Sequence, residues 1–467
     1  MEGLEASILH TSDVLTDNRD RRLDSQYFQR AALAADQLIL RHNPEPISAL
    51  ASEIKSFGAY ALTNEFEYQS EGVPFLRGTN YSGNFINFSD VLRISDEAHH
   101  LLYKSEILPG MVLLSMSGSV GGVAVALESW SYPINSNQDI AKIVPSSVAP
   151  FYLASYLSSR YGQIQIERLP VGSVQQHIFL WMIERIKIPR FSSVLEARIS
   201  QLAALAYNKH ETVSQDFQHA QDILLDALGL ADWTPPEPLA YTARATDVFA
   251  SARIDARFFA PRIQALLDLL SVDERTVSDV AHPRREKFRP SSCTAFDYIE
   301  ISDIDGSGAV TSIRLPSEDA PSRATWHVRA GDIITSTVRP IRRLSAQITS
   351  EQDGFVCSSG FVVLNPRDIA PEVLLTYLRL PVICELLDLY ASASMYPAIT
   401  DADIFNLPLP HIPDTVSAQV TQSVLVAKAA KADAANMLNA AKRAVEIAIE
   451  DGEPAAMAYL DQQEGTR

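Results

Sequence analysis

The sequence predicts two tandem domains of mixed α/β (α+β) class in a pseudo-two-fold arrangement, separated by a pair of long antiparallel helices. Three observations predict it. Landmarks of the first half recur in the second at one offset, each copy mixes strand and helix patterns, and each copy closes on a helix-forming run almost free of Gly and Pro. LPGMVLLS (108–115) is answered by VRAGDIIT (from Val328), so Gly110 maps onto Gly331, a shift of 221 positions. The same shift carries Tyr156 in FYLASYL onto Tyr377 in LLTYLRL, Pro189 in RIKIP onto Pro410 in NLPLP, and Ala197 in EARISQ onto Ala418 in SAQVTQ. Nearer the front, RRLDSQYFQRAALAADQL resembles ARIDARFFAPRIQALLDLL with Leu23 on Ile254, a shift of 231, so the first copy carries about ten extra residues before Gly110. A repeat this long means two similar domains, because solenoid periods lie at roughly 20–50 residues.

Each copy opens with an amphipathic helix, at about 27–41 and 258–270. Strand signals follow at VPFLRG (73–78), MVLLSM (111–116) and VAVAL (123–127), and in the second copy at FDYIEIS (296–302), DIITSTV (332–338) and GFVVLN (360–365). These runs are rich in β-branched and aromatic residues. A helix at 151–165 matches one at 373–388, where Pro381 should kink or break the second. The long helices span about 193–228, stopped by Gly229, and 416–450. Ile199, Leu202, Ala206, Val213, Phe217, Ala220, Leu224 and Ala227 make one apolar stripe; Val420, Val424, Ala427, Ala434, Met437, Leu438, Ala441, Val445 and Ala448 make the other. Stripes separated by a whole domain bury each other by folding back as a helix pair, a rod of roughly 50 Å at 1.5 Å per residue. DWTPPEPLA (232–240) reads as a Pro-stiffened linker. The expected divisions are domain one at 1–192, a long helix at 193–230, linker 231–240, domain two at 241–413, a second long helix at 414–450, and a polar, flexible tail at 451–467.

With 467 residues and 46% apolar content the chain has material for two or three real cores. No apolar run approaches the roughly 18 residues of a membrane span, and Asp13, Asp17, Asp20 and Asp24 interrupt any signal-peptide core. Cys293, Cys357 and Cys384 show no C-x-x-C spacing, which favours a reducing, cytoplasmic setting over structural zinc. The net charge of −18 argues against non-specific phosphate binding as the main task. Acidity is proportionally strongest in 196–239, with seven acidic and two basic side chains, whereas 240–413 holds 22 acidic and 17 basic ones, including local arginine clusters.

The order of parts carries a resemblance. RLD-x-x-YF, a strand such as VPFLRGTN or YIEISDID, G-[MD]-[VI]-[LI], a Tyr-Leu helix, a loop such as VGSVQQ or ASASMY, [IL]-x-[IL]-P and a long helix together resemble the specificity subunit of type I restriction-modification systems, twice over and across nearly the whole chain. The resemblance implies that 1–192 and 241–413 are target-recognition domains, each reading one half of an asymmetric bipartite double-stranded DNA site. It implies further that the long helices set the spacing and dock two methyltransferase subunits, which restriction subunits join in phage defence. The stripe residues Ile199, Leu202, Val213, Phe217, Val420, Val424 and Val445 are the expected partner-binding group. On this reading the chain needs no cofactor itself; S-adenosylmethionine belongs to the methyltransferase, and ATP and Mg to the restriction subunit. Two departures mark the second copy: Ala393 stands for Gly172, and VRPIRR (338–343) replaces SGSVGG (117–122).

Catalytic motifs are missing from the sequence. It has no G-x-x-x-x-G-K-[ST], no G-x-G-x-x-G after a strand, no H-E-x-x-H and no Asn-Pro-Pro-aromatic segment, and SGSVG lacks the first Gly of a nucleophile elbow. A free-standing nuclease or methyltransferase is thereby disfavoured. Base reading calls for forked donors and mixed donor-acceptors, Arg for guanine and Asn or Gln for adenine. In copy one the candidates are Arg77, Asn80 and Tyr81, with Ser117, Ser173, Gln175, Gln176 and His177 beside them. In copy two they are Arg284, Arg285, Lys287 and Arg289, then Arg339, Arg342 and Arg343, with Ser394 and Tyr396 in the places of Ser173 and Gln175. For Ser117 and Gly118 a plain strand-to-strand turn is preferred over a phosphate cradle, for His99 and His100 solvent exposure is preferred over a metal site, and Asp303 and Asp305 read equally as turn formers or as acceptors from cytosine. A DNA-binding scaffold or sensor of another defence complex, built on the same fold, is the alternative that the charge favours.

Overall fold

The computed structural model describes residues 9–465 apart from 12–13, 15–21, 26, 57–65, 89–90, 119, 172–175, 236, 252, 305–307 and 392–397. The chain forms two compact units, residues 1–211 with 431–467, and residues 212–430.

Each unit is built on a four-stranded antiparallel sheet of the same strand order. In the first it runs Ala51–Lys55, Ile140–Pro145, Val112–Ser115, Val123–Val125; in the second, Ala281–Pro283, Phe361–Pro366, Ile333–Ser336, Ser345–Gln347. A smaller sheet accompanies each, centred on a parallel pair: Val73–Leu76 with Asn135–Ser136, and Ala295–Ile299 with Val356–Ser358. The 221-residue shift maps Val112 onto Ile333, Ile140 onto Phe361, and helix starts Pro150, Arg160 and Ser193 onto Pro371, Pro381 and Asp414. The front strands Ala51–Lys55 and Ala281–Pro283 still show the longer shift, so most of the extra residues of the first copy fall between Lys55 and Val73.

The opening helices are Arg30–Leu40 and Pro261–Leu270, shorter than the periodicity predicts because the residues before them lack helical backbone. Both Tyr-Leu helices are broken. Pro381 starts a new helix, Pro381–Tyr390, after Pro371–Leu378, as expected. In the first copy, without proline, Ser159 does the same by capping Arg160–Glu167, its hydroxyl accepting from the Gly162 amide at 3.3 Å. Gly162 is required there, since a Cβ would stand 2.2 Å from the Tyr156 carbonyl oxygen.

The cores differ in chemistry at matched positions. Lys142 is fully buried on the central strand of the first unit and donates to the Ser136 hydroxyl at 2.8 Å, next to buried Asn135 and Ser105. The second unit has Val363, Cys357 and Val356 at the positions of Lys142, Ser136 and Asn135, all buried.

The long helices are Ser193–Ala227 and Asp414–Glu450. Within the first unit Ile199, Leu202, Ala203 and Ala206 share a core with Ala434, Leu438, Ala441, Val445 and Ala448, and Lys209 pairs with Asp433. Within the second, Val213 and Phe217 pack on Ala427 and Ala430, while Ala220 and Leu224 share a core with Val420 and Val424. Ascending numbers on one helix meet descending numbers on the other, so the segments run antiparallel in each unit. The tail expected to be flexible is instead helical at Glu453–Gly465. Ala456 and Leu460, four residues apart, bury one face, and Arg198 holds Asp461 at 2.8 Å and Glu464 at 2.9 Å. No helix among the described residues is long and apolar enough to cross a membrane.

Candidate nucleic-acid interface

In the first unit three segments converge beyond the end of strand Val112–Ser115. The turn to Val123–Val125 needs left-handed backbone at Gly118 (φ 70°) and Gly121 (φ 93°), and the Ser115 amide donates to the Gly122 carbonyl at 2.8 Å. Val171 and His177 exchange two backbone hydrogen bonds, 3.1 and 3.2 Å, closing the VGSVQQ loop, and the Ile178 amide donates to the Met116 carbonyl at 2.9 Å. His177 thereby bridges Ser117. Gly78 adjoins the same turn: a Cβ on it would lie 3.6 Å from the Ser117 carbonyl oxygen.

The predicted residues are therefore neighbours, but their side chains divide into two groups. Gln176 is exposed and His177 half-buried. Arg77 is half-buried, with its Nε buried and without a hydrogen-bond partner among the described residues. Asn80 is buried; its Oδ1 accepts from the Arg77 amide at 2.9 Å and its Nδ2 donates to the Asn87 carbonyl at 3.3 Å, so the amide serves a turn. Tyr81 lays its ring on Gly122, where a Cβ would meet Cδ1 at 3.0 Å; burial pushes its hydroxyl far above the usual range. Ser117 is buried too. Ser173 and Gln175 lie outside the described residues.

The second unit repeats this framework with other side chains. The Ile399 amide donates to the Thr337 carbonyl at 2.9 Å and Ala398 bridges Val338, the equivalents of Ile178 with Met116 and His177 with Ser117. Arg339 (φ 51°) holds the left-handed position of Gly118, and Arg343 is also left-handed at φ 59°. Each such non-glycine residue costs about 1–2 kcal/mol. Arg343 offsets it by donating to the Arg379 carbonyl and to Gln221 Oε1, both at 2.8 Å, while Arg379 donates back to the Arg343 carbonyl at 3.0 Å. Arg343 is thus a loop lock; Arg339 and Arg342 are exposed. Ser394 and Tyr396 lie outside the described residues.

The HPRREKFRP segment alternates inward and outward. Arg284 turns in, its Nε and Nη2 on Asp332 at 2.5 and 2.9 Å, with Asp332 buried. Arg285 is exposed, 2.7 Å from Asp401 and 5.6 Å from the Trp326 ring centroid. Lys287 and Arg289 are exposed. The charge at one matched turn is reversed between copies: Arg77 precedes a capped turn on Asn80, and Glu300 precedes the equivalent turn on Asp303. Asp303 accepts from the Glu300 amide at 2.7 Å and so serves the turn, while Asp305 lies outside the described residues.

The partner-binding group expected on the helices needs correcting. Ile199, Leu202, Val213, Val420, Val424 and Val445 are buried, and Phe217 is half-buried against Val213 and Ala427. The stripe holds helix to helix and helix to sheet, so no partner can meet it. The large exposed apolar residues of the same helices, among those described, are Val194, Leu205, Leu425 and Val426.

Sequence reading also passed over an aromatic pair. Phe179 and Trp181 are 44% and 37% exposed, their rings within 7° of parallel with centroids 6.4 Å apart, and Arg185 lies 4.7 Å from the Trp181 centroid. They follow the VGSVQQ loop directly, His177 meeting Phe179 edge-on at 5.0 Å. The signal was an apolar run, IFLWMI, where the first buried residue sets a phase that leaves Phe179 and Trp181 outside.

No family model matches the chain, and neither does any curated protein. Among the solved structures similar to it over most of its length are two type I restriction-modification S subunits and a chain of a type I R-M system. The S subunit from M. genitalium is 12% identical, with 87% of this chain and 94% of that one covered and a TM-score of 0.37. The HsdS subunit from Thermoanaerobacter tengcongensis is 16% identical, with 88% and 96% covered and a TM-score of 0.30. A chain from a study of complex assembly and conformational transition of the type I R-M system is 15% identical, with 90% and 96% covered and a TM-score of 0.26.

Proposed function

We propose that this chain is a DNA-sequence recognition subunit without catalysis of its own, reading an asymmetric bipartite site in a type I restriction-modification complex. The observation that carries the reading is one loop-bearing backbone built twice with unlike side chains: Gly118 against Arg339, Arg77 against Glu300, and an Arg/Lys segment in the second copy only. Two similar scaffolds with different polar loops suit two different half-sites. Gln176, His177 and Arg77 are the first unit's candidate donors, with Phe179 and Trp181 as stacking surfaces. Arg285, Lys287, Arg289, Arg339 and Arg342 are those of the second. Val194, Leu205, Leu425 and Val426 are the surfaces for two methyltransferase subunits, which supply S-adenosylmethionine chemistry; restriction subunits, where present, supply ATP and Mg.

The test is to co-express the chain with a neighbouring methyltransferase subunit and map modified bases across the host genome, with the gene intact and deleted. A split motif that vanishes on deletion, and changes in one half when one copy is exchanged, is the expected result. Unchanged methylation refutes the reading and favours a scaffold role, toward which the net charge of −18 already leans.

A further inference from the structure

A cavity of about 520 Å³ opens in the first unit. Its walls include Phe88, Arg93, Asp96, Trp130, Tyr132 and Glu211. The volume falls within the roughly 300–1,000 Å³ typical of ligand sites. Glu211 projects from the long helix and accepts only long hydrogen bonds, from Trp130 Nε1 at 3.3 Å and the Ser129 hydroxyl at 3.3 Å. Among the described residues it forms no ion pair, and burial raises its carboxyl above the ordinary carboxylate range. Arg93, anchored on the Gly72 carbonyl at 2.8 Å, lines the same cavity, so its walls carry two carboxylates, Asp96 and Glu211, and one guanidinium. The rings are ordered: Phe88 meets Trp130 edge-on at 5.0 Å, and the Tyr132 hydroxyl donates to the Leu127 carbonyl at 2.8 Å. The second copy has Glu351, Asp353 and Ala432 at the positions of Trp130, Tyr132 and Glu211, so the arrangement is not a requirement of the scaffold.

We propose that this cavity receives the guanidinium of an arginine presented by a protein partner. A half-buried carboxylate that forms no ion pair among the described residues, in a cavity whose walls carry two carboxylates and one guanidinium, beside aromatic rings, fits a planar cation that forks onto oxygen and lies along a ring. The compact, strongly hydrated ammonium of lysine fits less well. The inference is independent of the DNA-recognition reading.

The test uses the full-length chain labelled with 5-fluorotryptophan, the Trp130 signal being assigned by its loss in Trp130→Phe. N-acetyl-arginine methylamide and its neutral isostere N-acetyl-citrulline methylamide are each titrated while the fluorine spectrum is recorded. The arginine compound should move the Trp130 signal saturably, the citrulline compound at least about tenfold more weakly, and Glu211→Gln should remove the response. No movement with arginine, or equal movement with citrulline, overturns the proposal. The citrulline comparison reads the charge requirement on unaltered protein, so the test stands even where Glu211→Gln fails to fold.

Discussion

Arg284 is a DNA-reading candidate by sequence, and the structure gives it an internal duty that mutation separates cleanly. Asp332 has a side chain 1% exposed, while Arg284 is 23% exposed. The carboxylate accepts from Arg284 twice and from the Arg329 amide at 2.8 Å. Replacing Arg284 by Ala leaves a buried carboxylate with that amide alone. Removing one partner of a buried pair costs about 3–5 kcal/mol. The partial exposure of Arg284 and the surviving amide bond place the expected loss near the lower end, about 3 kcal/mol. For a unit of this size that lowers the melting temperature by roughly 6–12 °C. Position 111, the equivalent of Asp332 in the first copy, is a buried Met. The double variant Arg284→Met/Asp332→Met should therefore recover most of the loss, since apolar replacement of a whole buried pair is often neutral. Calorimetry gives the melting temperatures, and exchange of the Ile348 amide, which donates to the Asp332 carbonyl at 2.9 Å, reports locally. A single variant within about 0.5 kcal/mol of the parent, or a double variant no better than the single, refutes the buried-charge reasoning.

Exposed Lys287, Arg289 and Arg342, which form no ion pair among the described residues, should each lower the salt dependence of DNA binding when changed to Ala. The logarithmic slope should fall by about 0.9 for each phosphate that is no longer neutralised, measured by anisotropy across a salt series. Gly162→Ala should cost several kcal/mol, on the order of 4 or more, in denaturant unfolding, because the nearest obstacles are backbone atoms of Tyr156 and Leu157 at 2.2 and 2.7 Å. Burial lowers the Lys142 ammonium to about 7 from 10.5, so between those values the unfolded chain holds the extra proton and stability rises with pH. Lys142→Met should flatten that rise in the first unit, and an unchanged pH profile of unfolding would contradict it.

What was legible in the sequence was whatever local chemistry decides. The register of duplication came through because Gly110 and Gly331 are both left-handed, at φ 80° and 84°, and such turns tolerate few residues. The break at Pro381 was visible because proline lacks an amide; the matching break at Ser159 was not, because serine only competes for one. The tail helix was missed because its apolar face is short, buried Ala456 and Leu460 with half-buried Met457 and Tyr459, and its worth depends on what it packs against. The long stripes were read as buried, which holds for all but exposed Ala227 and half-buried Phe217 and Met437, and wrongly offered to a partner, since periodicity tells that a face is covered and not by what. Among the site residues the arginines defeated sequence reading for the same reason: Arg284, Arg285, Lys287 and Arg289 look alike in HPRREKFRP, and only the buried Asp332 separates the first from the others.

The division between fixed and variable parts has a physical basis in which atoms hold the loops. Ile178 to Met116 and Ile399 to Thr337 are main-chain hydrogen bonds of equal length, 2.9 Å, and the closure of VGSVQQ by Val171 and His177 is also main-chain. Such bonds form whatever side chains the loop bears, so polar residues at the tip are free to differ. The first copy takes the left-handed turn cheaply with Gly118, whose hydrogen side chain offers nothing to a ligand. The second takes it with Arg339, accepts the strain, and offsets part of it through the Arg343–Arg379 lock. Arg339 is exposed at its left-handed position, and Arg343, equally strained, spends its guanidinium on the fold. Exchanging VRPIRR for SGSVGG should consequently relieve the strain at 339 and 343 while removing the contribution of Arg339 and Arg342 to binding, and a loop swap that leaves sequence preference intact would show that the arginines of this loop serve the fold alone.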